Sequence, residues 1–405
     1  MRRKLLMLVH RIPYPPNKGD KIRSYHLLRH LAAQHEVHLG AFVDDPHDWT
    51  HRDALDALCA SVKLVPLHPL VQRIRSASGL LSGEALSLPY YRHAAMRRWV
   101  DDTIERQSIS HVVVFSSTMA QYVQGARHAR LRRVADLCDV DSDKWRQYAD
   151  GKRGPARWLY AREARRLLDA ERAIAREFDA TLFVTRAEAE LFRRLAPESA
   201  ARVGWFENGV DTEYFDPDTR FDSPYEDGAG RSGAPVVVFT GAMDYWANVD
   251  AVQWFVRDIW PRVRAVAPAA RFFIVGSNPV VAVRELESHE GVHVTGRVPD
   301  VRPYLAHADV AVAPLRIARG TQNKVLEALA MARPVVCTPA AASGLDLPAG
   351  EGFRVHDDAE GFAAAVLALA GAGDNPSGRK RVTESFAWSA NLRTVDRLLD
   401  TPRPA

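Results

Sequence analysis

The segment that follows Pro314 holds the residues whose types best suit chemistry. An apolar strand pattern ends at Pro314, and a helical pattern begins near Gly320 and Thr321. The free N–H groups and positive dipole end of a helix N-terminus favour an anion such as a diphosphate. Lys324 and Glu327 share a face of this predicted helix. The Lys324 ammonium group could therefore contact phosphates while the Glu327 carboxylate accepts hydrogen bonds from two sugar hydroxyl groups. From spacing alone, the alternative is a surface Lys–Glu pair worth roughly 0.2–0.5 kcal/mol.

A second group of carboxylates lies at Asp139, Asp141 and Asp143, which form two overlapping D-x-D triplets. Such triplets can hold a divalent metal ion. We predict no metal site here, and expect Asp139 or Asp141 to orient a hydroxyl group of a substrate. A plain loop turn is the alternative.

A glycine-containing loop, Pro15–Asp20, joins the first predicted strand to its helix. Gly19 would let the backbone approach a substrate, and Asp20 would stand beside it, so both are candidates for the acceptor side of a site. The alternative is an ordinary loop in which Asp20 is the helix N-cap.

Short apolar strands alternate with amphipathic helices along the chain, which predicts parallel sheets covered by helices. The predicted strands are Lys4–Val9, Val37–Phe42, Val62–Pro66, His111–Phe115, Arg133–Asp136, Thr181–Val184, Pro235–Thr240, Arg271–Val275, Val292–Thr295, Val310–Ala313 and Pro334–Cys337.

The pattern breaks once, between residues 205 and 234, where the composition is that of a linker. This predicts an N-terminal domain over 1–204, a second domain over 235–385, and a C-terminal helix and tail over 386–405 that pack back across both. Two such α/β domains joined by one linker would face each other across a cleft, where a ligand usually binds.

Composition excludes several classes of protein. The three cysteines, Cys59, Cys138 and Cys337, have no metal-ligand spacing, which favours a reducing compartment. The apolar run at the N-terminus is too short for a signal peptide, and no run approaches the roughly 20 residues of a membrane span. We therefore expect a soluble cytoplasmic protein. No G-x-G-x-x-G follows the first strand, which disfavours a nicotinamide dehydrogenase.

Several motifs, in their order and spacing, resemble the retaining GT-B glycosyltransferases of family 4. They are Asn208–Pro217, Phe239–Gly241 with Asn248, Gly296–Asp300, Gly320–Glu327 and Ser385–Ser389. The nearest subgroup is that of the sugar transferases associated with bacterial exopolysaccharide and exosortase (PEP-CTERM) systems, which resemble Pro13–Ser24 and Asp139–Trp145.

The resemblance implies two Rossmann-like domains and a nucleotide-diphosphate sugar as co-substrate, with no separate cofactor. Glu327 matches a glutamate that holds the donor ribose. The implied catalytic residues are Lys324, Glu327 and Asp139, and the implied donor-binding residues are Gly241, Arg297, Val298, Arg319, Gly320, Thr321, Lys324 and Glu327. Gly19, Asp20 and Asp141 are expected on the acceptor side.

The chain departs from the family at two places. Arg319 stands where the first motif glutamate is usual, and the loop Gly241–Asn248 lacks the usual Arg and Lys that face the diphosphate. The positive groups left for the leaving diphosphate are Lys324, Arg319 and the helix N-terminus.

The implied function is transfer of a sugar to a glycan or lipid-linked acceptor in exopolysaccharide biosynthesis. The alternatives are a catalytically weak regulator that binds nucleotide sugars, and an epimerase of the same fold.

Residues 1–204 hold 34 Lys and Arg against 24 Asp and Glu, whereas 205–405 hold 20 against 26. This charge asymmetry and the basic stretch Lys152–Arg176 favour peripheral contact with an anionic inner membrane. For the basic stretch, the alternative is a solvated helix packed on its own domain. Nucleic acid is disfavoured as a partner.

Overall fold

In the computed structural model, residues 2–16, 19–225, 234–318, 321–343, 345, 350 and 352–401 are described. The chain divides into two compact units. The first comprises Met1–Glu207 and Leu392–Ala405, and the second Asn208–Asn391. Most of the described part of the predicted linker, Asn208–Tyr225, thus belongs to the second unit, and residues 226–233 lie outside the described ones.

The first unit is built on a seven-stranded parallel sheet in the order β3-β2-β1-β4-β5-β6-β7. The strands are β1 Lys4–Val9, β2 Glu36–Val43, β3 Ser61–Pro66, β4 His111–Phe115, β5 Arg132–Cys138, β6 Ala180–Phe183 and β7 Val203–Trp205. The predicted strands are confirmed here within two residues at each end; β7 was not predicted.

The second unit contains a six-stranded parallel sheet in the order β10-β9-β8-β11-β12-β13. Its strands are β8 Val236–Thr240, β9 Arg271–Val275, β10 Val292–Gly296, β11 Val310–Ala313, β12 Val335–Cys337 and β13 Phe353–Val355. In both sheets the order reverses beside the first strand, so the loops after β1 and β4, and after β8 and β11, flank the switch points where α/β folds bind ligands.

The helices cover the faces of these sheets. They are α1 Gly19–Gln34, α2 Arg52–Asp56, α3 Pro69–Ser82, α4 Ser87–Tyr90, α5 Ala94–Gln107, α6 Ser117–Ala120, α7 Asp141–Asp150, α8 Gly154–Glu177, α9 Arg186–Leu195, α10 Trp246–Trp254, α11 Trp260–Val266, α12 Val281–Arg284, α13 Arg302–His307, α14 Asn323–Ala330, α15 Pro339–Ala342, α16 Ala359–Ala370, α17 Pro376–Ser385, α18 Trp388–Asn391 and α19 Arg393–Asp400. A π-helical turn, Phe255–Ile259, joins α10 to α11.

Each unit has its own apolar core, made by strand residues and the inner faces of helices. In the first unit a buried ion pair supplements it: Arg23 of α1 donates to both carboxylate oxygens of Asp136 in β5, at 2.8 and 3.1 Å. The guanidinium also donates to the Phe206 carbonyl at 2.9 Å and lies 3.6 Å from that ring centroid. Arg23 therefore fixes α1, whose first residue is Gly19, against the sheet.

The C-terminal segment differs from the single helix predicted over Phe386–Leu399. It forms α18 and α19, and the division between units falls between Asn391 and Leu392. Helix α19 belongs to the first unit, where Asp396 lies 2.9 Å from the His30 ring and Arg132 donates to the Leu398 carbonyl. None of the helices in the described part of the chain combines the length and apolar character that a membrane span requires.

Candidate active site

The donor-side candidates of the second unit meet at the switch point of its sheet. Gly241 follows β8, and α14 begins after the loop that follows β11. Lys324 Nζ donates to Asn248 Oδ1 at 2.7 Å, and the Asn248 amide nitrogen donates to the Ala242 carbonyl at 2.9 Å. One asparagine therefore connects the lysine to the loop after β8.

Close packing around Gly241 explains why a glycine stands there. A Cβ atom at this position would lie 2.7 Å from Asn248 Nδ2 and 3.4 Å from Lys324 Nζ. Across the neighbouring loop, a Cβ at Gly276 would lie 1.6 Å from the Gly241 carbonyl oxygen. The backbone after β8 is thus held against the ammonium group without an intervening side chain.

Helix α14 begins at Asn323, two to three residues later than the sequence predicts. Gln322 is the N-cap, in an extended conformation, and its carbonyl accepts from the N–H groups of Val325 and Leu326. Thr321 therefore precedes the helix, and Lys324 lies in the first turn, closer to the positive end of the dipole than predicted. Arg319 and Gly320 lie outside the described residues.

Lys324 and Glu327 are half-buried, and their environment shifts both toward neutrality. Burial lowers the pKa of Lys324 to about 8, although the charge of Glu327 opposes the shift. Burial raises the pKa of Glu327 to about 7, against the opposing charge of Lys324. Among the described residues, no hydrogen bond or salt bridge involves the Glu327 carboxylate. The two residues are not the exposed surface pair of the alternative interpretation.

A cavity of about 290 Å³ lies at the ends of β9 and β10 and includes Gly296 and Arg297 in its lining. It is next to the loop after β8, because Asn278 in its wall donates to Asp244 at 3.1 Å and Met243 N–H donates to the Ser277 carbonyl. Arg297 is exposed, whereas Val298 packs against the apolar core. Of the two, only Arg297 presents its side chain to the cavity.

The acceptor-side candidates of the first unit gather near the ends of β1 and β5. Arg11 donates to Asp20 at 2.7 Å, and His10 Nε2 lies 3.6 Å from the same carboxylate. Burial disfavours the charged form of Asp20, but His10 and Arg11 outweigh it and hold its pKa well below the usual range. Asp20 thus lies in the first turn of α1 and binds Arg11, so it is not the N-cap residue of this helix. Gly19 is exposed.

Asp139 and Asp141 share one cation. Lys144 Nζ donates to Asp139 at 2.6 Å and to Asp141 at 3.2 Å. Burial raises the pKa of Asp141, and the charge of Lys144 opposes this shift. In the described part of the chain, no group of three His, Cys, Asp or Glu side chains could hold a metal ion.

Sequence reasoning missed His10 and the bridging role of Asn248. His10 stacks on Phe115, with 5.7 Å between ring centroids, and its buried Nδ1 has no hydrogen-bond partner among the described residues. The signal was present, because a polar residue directly after the first buried strand points to a ligand site in an α/β sheet.

One family model of known proteins matches the second unit. Residues 234–371 match the family model described as glycosyl transferases group 1. A comparison with curated protein sequences gives no match.

Solved structures are similar over nearly the whole chain. Sucrose-phosphate synthase from Thermosynechococcus elongatus superposes with a TM-score of 0.66 at 19% identity, covering 98% of each chain. HepE from Anabaena, in complex with UDP-glucose, gives 0.63 at 14% identity, covering 98% of this chain and 99% of that one. WaaG, a glycosyltransferase involved in lipopolysaccharide biosynthesis, gives 0.61 at 16% identity, covering 98% and 100%. The predicted fold class, an α/β GT-B fold of two Rossmann-like domains, is confirmed.

Proposed function

We propose that this protein is a glycosyltransferase that moves a sugar from a nucleotide-diphosphate sugar to a glycan or lipid-linked acceptor. The observation that carries the proposal is the grouping of Gly241, Lys324 and Glu327 at the switch point of the second sheet, with the lysine in the first turn of α14. The family match of residues 234–371 and the UDP-glucose complex of HepE support a nucleotide-sugar donor.

The groups present suit the charge changes of glycosyl transfer. The acceptor oxygen forms a bond to the anomeric carbon as the bond from that carbon to the diphosphate breaks, and the hydroxyl proton leaves to a carboxylate or to the departing diphosphate. The diphosphate gains negative charge in this step, so Lys324 and the N–H groups of α14 stabilise it. Glu327 would accept hydrogen bonds from the donor ribose, and Arg297 would line the part of the site near the base.

In the first unit, we propose that Asp139 or Asp141 orients the acceptor hydroxyl and that Gly19 and Asp20 contact the acceptor. The salt bridges from Lys144 leave both aspartates more than a third exposed at their side chains. Because Lys144 already occupies the position between the two carboxylates and the donor side supplies its own positive groups, we propose turnover without a metal ion.

The resemblance to family 4 supports retention of the anomeric configuration, hexosyl transfer and a role in exopolysaccharide biosynthesis. A cytoplasmic enzyme with peripheral contact at the inner membrane would fit a lipid-linked acceptor. A nucleotide-sugar-binding regulator would bind donor without turnover, and an epimerase would alter the donor without acceptor.

Nucleotide binding tests the donor site directly. Glu327→Ala should weaken the binding of the free nucleotide diphosphate in calorimetry by about tenfold, because hydrogen bonds to a charged group contribute about 1.5–3 kcal/mol. The exposed Glu384→Ala in α17 is the matched control and should bind as wild type. Unchanged binding by Glu327→Ala would remove this residue from the site.

Product analysis separates the three functions. Nucleotide-sugar consumption is measured with and without a candidate acceptor, and the sugar products are identified. Acceptor-dependent release of nucleotide diphosphate supports transfer, an altered sugar still attached to nucleotide supports the epimerase, and binding without consumption supports the regulator.

A further inference from the structure

Helix α3 of the first unit has its amphipathic pattern reversed. Its large aliphatic residues face outward: the exposed fractions are 74% for Leu70, 77% for Ile74 and 94% for Leu81, with Val71 and Leu80 at 45% and 44%. At 100° per residue, Leu70, Ile74, Ala77 and Leu81 fall within an arc of about 60°. These four residues form a continuous apolar stripe on the surface, which we call the α3 stripe.

The opposite face of α3, which packs on the protein, is polar or small. Gln72 and Gly79 are buried, and the Ser76 hydroxyl donates to the Leu86 carbonyl at 2.6 Å. Arg162 of α8 donates to the Gly79 carbonyl at 2.7 Å, and a Cβ at Gly79 would lie 3.3 Å from the Glu84 carbonyl oxygen. Hydrogen bonds and close backbone approach therefore hold the helix, and the side chains of the α3 stripe contribute little to its packing.

Helix α3 carries positive charge beside the α3 stripe. Arg73 and Arg75 are exposed on opposite sides of it, and α3 contains no acidic residue. On α8, which Arg162 connects to α3, Arg165, Arg166 and Trp158 are exposed, the tryptophan by 60%. Leu167 and Ile174 of α8 are buried in their own unit, and Leu159, Tyr160 and Leu168 are partly buried. The basic stretch thus supplies charge to this surface but little apolar contact.

We propose that α3 is an interfacial helix that inserts the α3 stripe into the surface of an anionic lipid bilayer, with Arg73 and Arg75 at the level of the headgroups. A helix with an exposed apolar face flanked by Arg residues binds such surfaces through buried apolar area and electrostatic attraction together. Contiguous apolar surface of this kind on a folded protein marks an interaction site. This proposal deepens the membrane contact suggested under the proposed function and names the element that makes it.

Flotation tests the proposal. The wild-type chain is mixed with vesicles of phosphatidylcholine containing phosphatidylglycerol, and compared with Ile74→Ser/Leu81→Ser. Removing two large aliphatic side chains from the contact should weaken partitioning by roughly 100-fold. The matched control, Val266→Ser/Val281→Ser, changes two residues of the second unit that are each 70% exposed, and should float as wild type. Arg73→Glu/Arg75→Glu should lose binding to the anionic vesicles at low salt.

Two results would overturn the proposal. In the first, Ile74→Ser/Leu81→Ser floats as well as wild type. In the second, wild type does not float but elutes as a dimer that this variant abolishes, which would make the α3 stripe an interface between copies of the chain. Calorimetric binding of nucleotide diphosphate to every variant is measured without vesicles. It should equal wild type, so a failure of the membrane contact is distinguished from a failure of the donor site.

Discussion

Burial moves the pKa values of Lys324 and Glu327 toward each other, and this makes donor binding sensitive to pH near neutrality. With a pKa of about 8, Lys324 is charged below that pH, and with a pKa of about 7, Glu327 is charged above it. The diphosphate binds the charged ammonium group of Lys324, and the ribose hydroxyl groups donate hydrogen bonds to the charged carboxylate of Glu327. Both are charged together only in the window between these values.

We therefore expect the affinity for nucleotide diphosphate to be highest between about pH 7 and 8 and to fall on both sides. Calorimetry from about pH 6.5 upward, where the ligand itself stays largely ionised, measures this profile. Glu327→Gln should remove the decline at low pH, and Lys324→Gln the decline at high pH, each with weaker binding overall. Lys380→Gln, on an exposed position of α17, is the control. A flat wild-type profile would contradict contact between these two groups and the ligand.

The carboxylates at Asp139 and Asp141 lead to a second prediction at this scale. Since Lys144 donates to both, a divalent cation would have to displace an ammonium group to bind them. We expect the rate of sugar transfer to be unchanged after exhaustive treatment with EDTA. Activity lost in EDTA and restored by Mn²⁺ would show that the D-x-D pattern holds a metal after all.

Among the secondary-structure elements, α1 depends on a contact that apolar packing does not supply. Arg23 is 2% exposed and Asp136 is 1% exposed, so removal of one partner leaves a buried charge. Arg23→Met should lower the free energy of unfolding by about 3–5 kcal/mol, and Arg23→Met/Asp136→Leu should recover much of this loss. Chemical denaturation measures both. Arg186→Met breaks an exposed pair with Glu190 and should cost less than about 1 kcal/mol; an equally small loss from Arg23→Met would contradict the role of the buried pair.

Elements with regular apolar patterns could be predicted from the sequence, and the others could not. Strands β1, β4, β9 and β11 have the predicted bounds because each contains a continuous run of buried apolar residues. The three-residue strands β7 and β13 are interrupted by Gly204 and Arg354 and so lack an apolar run, whereas the equally short β12 is continuously apolar. Helix α3 has the apolar residues of a core helix on its exposed side, so no rule based on burial would orient it.

In the candidate site, too, some features could be predicted from local sequence patterns and others could not. Lys324 and Glu327 could be placed on one helix face from their spacing, because a helix fixes neighbours at i and i+3. The hydrogen bond between Lys324 and Asn248 joins residues 76 positions apart, and only the sheet order brings them together. Asp20 bound to Arg11, in place of a helix cap, likewise depends on the position of the loop after β1.

At the scale of the whole molecule, the donor-site candidates come from segments that meet only when the second unit is folded. Asn248 bonds both to Lys324 and to the loop that begins at Gly241, yet these three residues belong to different loops or helices. A ligand of this site therefore binds the folded chain and not the unfolded one, and must stabilise it by mass action. At 100 times its dissociation constant, the correct nucleotide sugar should add about 2.7 kcal/mol.

Thermal unfolding with UDP-, GDP- and ADP-sugars uses this linkage to identify the donor. For a unit of this size, such stabilisation corresponds to a rise in Tm of about 5–10 °C, and we expect it for one base while the other two give smaller shifts. Because the site belongs to the second unit, scans are analysed for more than one transition. Glu327→Ala should lose most of the shift and Glu384→Ala should keep it, since only the first removes a ligand contact. If every nucleotide sugar shifts wild type and Glu327→Ala equally, or none shifts either, the second unit does not bind a nucleotide sugar through Glu327.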